Sequence, residues 1–241
     1  MRRRYLCGAI VGVLATAAAL SATGGGATPS MRNARNHRIS NSTSTNWSGY
    51  AVTGSKFTTV SAAWTEPTVT CSGTAYSSFW VGLDGDTSNT VEQTGTDADC
   101  SGSTPQYYAW YEMYPKFPVN LGGTVRPKDQ LSATVTTDGH GNFTLTISDT
   151  TQGWSNTTSA KLRSAKLSSA EVIAEAPSSS GGVLPLANFG TVSFSGASAN
   201  GSALTSRTPH IDPITMANGS TVKAQPGPIG NGSFSVTWQH S

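Results

Sequence analysis

The sequence is short of charge, of cysteine and of histidine. Only 12% of its 241 residues are Asp, Glu, Lys or Arg, and it holds three Cys and four His. His140 sits in a Gly-rich turn signal and His240 is the penultimate residue. A Ser-His-Asp triad needs its base buried beside the nucleophile, and no G-x-S-x-G elbow is present. HExxH, a Walker loop and clustered metal ligands are also missing, so neither a metal nor a cofactor is expected. "GLDGD" lacks the later ligands of a calcium loop. The one apolar run, from Tyr5 to about Ala19, is shorter than the about 20 residues that span a bilayer.

That run follows Arg2, Arg3 and Arg4 and precedes the small residues "LSATGGGATPS". A basic start, a short apolar middle and a small-residue exit describe a secretory signal peptide over 1–27, with Ala22 and Ala27 both candidate ends. Residues 28–44 are polar, basic and non-periodic, and read as a short propeptide or disordered arm. Residues 45–241 are long enough for one domain with a sizeable core. The expectation is a secreted, extracellular protein with no membrane association once the leader is removed.

Six of the 15 Lys and Arg precede residue 45, whereas all 13 Asp and Glu follow it. The body is therefore mildly acidic and offers no basic patch for nucleic acid. Cys7 belongs to the leader, and the two remaining thiols, Cys71 and Cys100, are expected to pair in an oxidising compartment.

The body is rich in Ser, Thr, Gly and aromatics. Runs such as "KFTTVSAAWTEP", "FGTVSFSG" and "GSFSVTWQ" alternate apolar and polar residues and end in Gly, Pro, Asn or Asp. "TVTTDGHGNFTLTI" reads as a hairpin with its turn at Asp138–Asn142. The pattern argues for an all-β sandwich or barrel. "SAKLRSAKLSSAEVIAEAP" objects, since its Ala, Leu, Lys and Glu favour a helix. A strand over 169–176 is favoured, with Glu171, Ile173 and Glu175 on one face and Ala170, Val172 and Ala174 on the other.

Elimination leaves carboxylate and amide chemistry. A Glu can take a proton from water and pass it to a leaving group, and a Gln amide can donate to a developing oxyanion. Such a pair hydrolyses an amide without a nucleophilic side chain.

Four blocks in order, "WVGLDGDTSNTVEQTGTD", "YYAWYEMYP", "AEVIAE" and "LANFGTVSF", resemble the glutamic peptidases, or eqolisins. The resemblance covers the body from "NWSGYAV" at Asn46 to the last strand. It implies a β-sandwich of two bent antiparallel sheets, about seven strands each, whose concave face forms the substrate cleft. It places the family's catalytic glutamine on Gln93 and its glutamate on Glu171. In that scheme Glu171 activates the attacking water and then protonates the leaving amine, while Gln93 steadies the oxyanion. Trp47, Trp80, Asp84, Asp97, Trp110 and Glu112 fall on motif positions that line or brace the cleft. Val172 stands where the family usually has Trp; on an alternating strand it faces away from Glu171.

The implied activity is a secreted acid endopeptidase, acting as a monomer on polypeptides. Two other classes remain as alternatives. A β-jelly-roll glycoside hydrolase would use Glu171 and Glu175, although Glu175 alone reads as an exposed or cleft-edge carboxylate. A non-catalytic carbohydrate-binding sandwich would present Trp80, Tyr107, Tyr108 and Trp110 as a stacking platform.

Overall fold

The computed structural model describes residues 43–241, so the leader and most of the basic arm lie outside the described residues. The strands in chain order are β1 (Thr43–Ser44), β2 (Trp47–Thr53), β3 (Thr59–Thr65), β4 (Ser78–Leu83), β5 (Val91–Ser101) and β6 (Thr104–Tyr114). Then come β7 (Val119–Asn120), β8 (Gln130–Thr137), β9 (Asn142–Asp149), β10 (Trp154–Lys161), β11 (Ser169–Glu175) and β12 (Ser178–Ser179). The last six are β13 (Gly182–Val183), β14 (Thr191–Ala199), β15 (Ser202–Ala203), β16 (Ile211–Asn218), β17 (Thr221–Pro226) and β18 (Phe234–Trp238). No helix occurs among the described residues.

The all-β expectation holds, but the expected division into two sheets of about seven strands does not. One hydrogen-bonded path runs β10-β9-β8-β3-β14-β18-β17-β16-β2-β11-β4-β5-β6-β7, and with β1 and β15 it forms a single sheet of 16 strands. The join is β16. Its first half, Ile211–Ile214, pairs with β2, and its second half, Met216–Asn218, pairs with β17 across a register shift. One strand with different partners at its two ends carries the ladder around the corner, a recognised use of bulges. Pairing along the path is antiparallel; β1 alone lies parallel to its partner, β16.

The sheet doubles over so that β3, β8, β9 and β14 pack against β4, β5 and β11. The core between these halves comes from period-two alternation. Val60, Ala62 and Trp64 point inward from β3, Leu131, Ala133 and Val135 from β8, and Phe143, Leu145 and Ile147 from β9. Each such Val, Leu, Ile or Phe contributes about 1.5–3 kcal/mol on burial. The Asp138–Gly141 turn joins β8 to β9 as the sequence indicates, with Gly139 and Gly141 at positive φ.

The ambiguous segment is a strand. β11 lies between β2 and β4, and all seven of its residues are buried. Two flanking ladders satisfy every backbone group that helix propensity would otherwise claim. Ala170, Val172 and Ala174 enter the main core, which leaves the opposite face to Glu171, Ile173 and Glu175. Cys71 and Cys100 form a disulfide, tying the loop after β3 to β5.

Candidate active site

The face of β11 away from the main core continues across its neighbours. Asp212, Ala51, Glu171, Gly82, Gln93 and Glu112 stand opposite one another on β16, β2, β11, β4, β5 and β6. Residues directly opposite in a ladder project to the same side, so this row shares one face. Glu171 and Gln93 are separated by one strand, which puts their Cα atoms about 9.5 Å apart at the usual strand spacing. Between them stands Gly82, with no side chain.

Two residues along, the next row holds Ile173, Trp80, Gly95 and Trp110; the row beyond holds Trp47, Glu175, Ser78, Asp97 and Tyr108. Trp47, Trp80, Trp110, Val91, Ile173 and Ile214 form a small apolar cluster of their own on this face. The Trp47 and Trp80 rings meet edge to face at 5.0 Å. This packing fixes the backbone beneath the polar row.

Three polar atoms at the centre lack a hydrogen-bond partner. Neither carboxyl oxygen of Glu171 nor Oε1 of Gln93 has a hydrogen-bond partner among the described residues, and both side chains are buried. Gln93 Nε2 donates to Glu112 Oε2 at 2.7 Å, which leaves its second N–H available. Burial pushes the Glu171 carboxyl well above the ordinary range, with Asp86 and Asp84 adding to the shift. The Ser169 hydroxyl opposes this without forming a well-aligned hydrogen bond. Burial likewise raises Glu112 to about 7, against the opposing bond from Gln93.

The sequence-predicted positions divide into two groups. Gln93, Glu171, Glu112, Trp47, Trp80, Trp110 and Asp97 all lie on the one face. Asp84 has a different task. From a positive φ of 66°, its carboxylate accepts the backbone N–H groups of Lys166, Leu167 and Ser168 at 2.7–2.8 Å, and the Ser168 hydroxyl at 3.1 Å. It thereby clasps the loop that delivers β11, and Glu171 with it. The turn after Asp84 brings Asp86 beside Glu171, and Thr87 is bonded to Ser168 at 2.8 Å.

Glu175 corrects the expectation of an exposed carboxylate. It is 5% exposed, accepting from Asn46 Nδ2 at 2.9 Å and Trp80 Nε1 at 2.8 Å, and burial raises its pKa to about 8. Four residues from Glu171 on one strand, it lies about 13 Å away along the backbone. The stacking platform also fails. Trp80 is fully buried, Trp110 nearly so, and Tyr107 alternates to the opposite side, where its hydroxyl accepts from Val69 N.

Sequence reasoning missed Asp99 and placed Tyr108 only in the stacking platform. The Tyr108 hydroxyl lies 2.8 Å from one oxygen of Asp97 and 2.8 Å from one of Asp99. One phenolic hydrogen serves only one of them, and the other can donate to the phenol oxygen when it is protonated. Trp110 Nε1 donates to the other oxygen of Asp97. Burial raises both, and the Asp97 charge raises Asp99 further. The signal for these residues was period two counted from Gln93 along β5 and from Glu112 back along β6.

The arrangement sets a carboxyl and an amide on one sheet face on either side of Gly82, with further carboxyls and indoles bracing both. Scytalidopepsin B of Scytalidium lignicola is similar at 41% identity over 104 residues, 42% of this chain and 39% of that protein. Aspergillopepsin-2 of Aspergillus niger is similar at 29% over 181 residues, 65% of this chain and 64% of that protein. Each match spans less than two thirds of the relative. The crystal structure of scytalido-glutamic peptidase with a transition state analog inhibitor superposes with a TM-score of 0.72 at 27% identity, covering 81% of this chain and 98% of that one. Residues 45–238 match the peptidase A4 family, and the chain belongs to that family.

Proposed function

We propose that the protein is a secreted acid endopeptidase in which Glu171 and Gln93 hydrolyse the peptide bond. The observation that carries this reading is their placement. They flank Gly82 in one register row, with both carboxyl oxygens of Glu171 unpartnered and one Gln93 N–H left over from its bond to Glu112. Glu171 removes a proton from a water as the oxygen attacks the scissile carbonyl carbon. The carbonyl π electrons move to oxygen, where the free N–H of Gln93 donates to the oxyanion. Collapse of that intermediate breaks the C–N bond, and the proton held on Glu171 passes to the departing nitrogen.

Burial favours the protonated form of Glu171. Admission of water with the substrate solvates the carboxyl and reverses that penalty, so the base forms where it is needed. Glu112 fixes the Gln93 amide, Asp84 fixes the approach to β11, and the Trp80, Trp110, Asp97 and Glu175 contacts fix the floor. The leader over 1–27 and the arm over 28–44 fit export before action on extracellular polypeptides, by the domain 45–241 working as a monomer. A glycosidase reading is disfavoured. Retaining chemistry needs carboxyls about 5–5.5 Å apart, whereas Glu175 is distant and held by Asn46 and Trp80.

The test is digestion of denatured protein and of polysaccharide by the purified secreted form from pH 2 to 6. Peptide products from the first alone are expected; polysaccharide turnover, or none of either, contradicts the reading.

A further inference from the structure

Glu92 is fully buried, and the hydrolysis makes no use of it. It precedes Gln93 on β5, so its side chain leaves the candidate face for the opposite side of the sheet. Its ladder partners there are Leu83 on β4 and Met113 on β6, both members of the main core. An ion in such surroundings is costly unless something pairs with it.

Neither carboxyl oxygen of Glu92 has a hydrogen-bond partner among the described residues. The charge that acts on it is that of Asp84, the residue after Leu83. Burial first, and the negative charge of Asp84 second, raise the Glu92 pKa to about 9; a side-chain contact with Asp84 acts in the same direction. The Thr90 hydroxyl opposes this without forming a well-aligned hydrogen bond. Two carboxylates side by side repel and share no hydrogen. An acid beside a carboxylate has one O–H to donate, and such charge-assisted bonds are the strong ones.

Asp84 is the acceptor of this pair, since it already receives the backbone N–H groups of Lys166, Leu167 and Ser168. The Ser168 hydroxyl lies closer to Thr87, at 2.8 Å, than to Asp84, at 3.1 Å, so the Asp84 carboxylate keeps acceptor capacity for a further donor.

We propose that Glu92 is a positioning residue for Glu171: as an uncharged acid it donates its O–H to Asp84 and completes the clasp on the loop that delivers β11. The inference rests on the reading of Glu171 as the base. Glu171 follows Ser168 by three residues, so slack in the clasp moves its carboxyl relative to Gln93. Displacement on the order of 1 Å at a reacting centre costs about a hundredfold in rate, and a clasp that keeps its three backbone bonds loses less, about tenfold.

The experiment compares the wild type with Glu92→Gln and Glu92→Leu, by kcat and KM on a peptide substrate at acid pH and by thermal midpoint from pH 5 to pH 8. Glutamine donates an N–H from the same place and holds no titrating proton, whereas leucine fills the space without a donor. Glu92→Leu is expected to lose about tenfold in kcat with KM little changed, and Glu92→Gln to keep most of the wild-type kcat. A native state that keeps a proton the unfolded chain has released loses stability as pH rises, so the midpoint of Glu92→Gln should gain on the wild type steadily from pH 5 to pH 8. Wild-type kcat in folded Glu92→Leu overturns the proposal, as does an equal loss in both variants or a midpoint difference that stays constant with pH. If Glu92→Leu does not fold, Glu92→Gln decides through the same kcat and pH comparisons. If Glu171→Gln is inactive while Glu92→Leu keeps wild-type kcat, the inference fails and the proposed function stands. Activity in Glu171→Gln as well brings down the reading beneath it.

Discussion

Gln93 donates from Nε2 to Glu112 Oε2 at 2.7 Å across the β5–β6 pair, and the two face each other in register. A glutamine amide is free to rotate about its last torsion, and this bond fixes its orientation on the sheet face. Replacing Glu112 with Ala is expected to lower kcat/KM about tenfold or more with little change in KM, since orientation and not binding is lost. Glu112→Gln retains an acceptor and keeps most of the activity. Steady-state kinetics on both variants checks this.

Asp84 concentrates four hydrogen bonds on one buried carboxylate. Asp84→Ala strands three backbone N–H groups and places a β-carbon residue at positive φ without compensation. A loss of about 2–4 kcal/mol in denaturant unfolding is expected. Asp84→Asn keeps an acceptor and tolerates the backbone, so it loses less. Equal stability of all three proteins would contradict the clasp.

Ten of the thirteen Asp and Glu are buried. Burial raises Glu112 to about 7, Glu66 and Glu175 to about 8 and Glu92 to about 9. A folded pKa above the unfolded value means that the native state holds protons the unfolded chain has released. The stabilisation is fully present below about pH 4 and is lost as pH rises through 7–9. The thermal midpoint should therefore fall steadily from pH 4 to pH 8, by differential scanning calorimetry. A midpoint that rises over that interval contradicts the assignment.

The Cys71–Cys100 bond closes a loop with a sequence separation of 29. Chain-entropy reasoning gives about 3–4 kcal/mol for its removal. Cys71→Ser paired with Cys100→Ser should unfold at correspondingly lower denaturant while keeping its acid activity at moderate temperature. Because the bond ties the β3–β4 loop to the far end of β5, activity at saturating stability should be unaffected.

The strands were legible wherever one face meets the core and the other meets water. β8 and β9 announce themselves through Leu131, Ala133, Val135, Phe143, Leu145 and Ile147. β11 did not, because burial on both faces removes the alternation that distinguishes strand from helix. Period two also aligns Gln93 with Asp97 and Glu171 with Glu175 within single strands. It says nothing of which strands neighbour one another. The partner change along β16 was hidden for that reason, and so was the clasp from Asp84 to Lys166, 82 residues away. Glu175 looked exposed because its donors, Asn46 and Trp80, lie 129 and 95 residues from it.

The central claim is that Glu171 and Gln93 perform the hydrolysis together. The direct measurement is kcat/KM at acid pH for the wild type, Glu171→Gln and Gln93→Ala, with each variant shown to be folded. Losses of about 10²–10⁴ for Glu171→Gln and about 10²–10³ for Gln93→Ala are predicted. Wild-type kcat/KM in either folded variant would contradict the account.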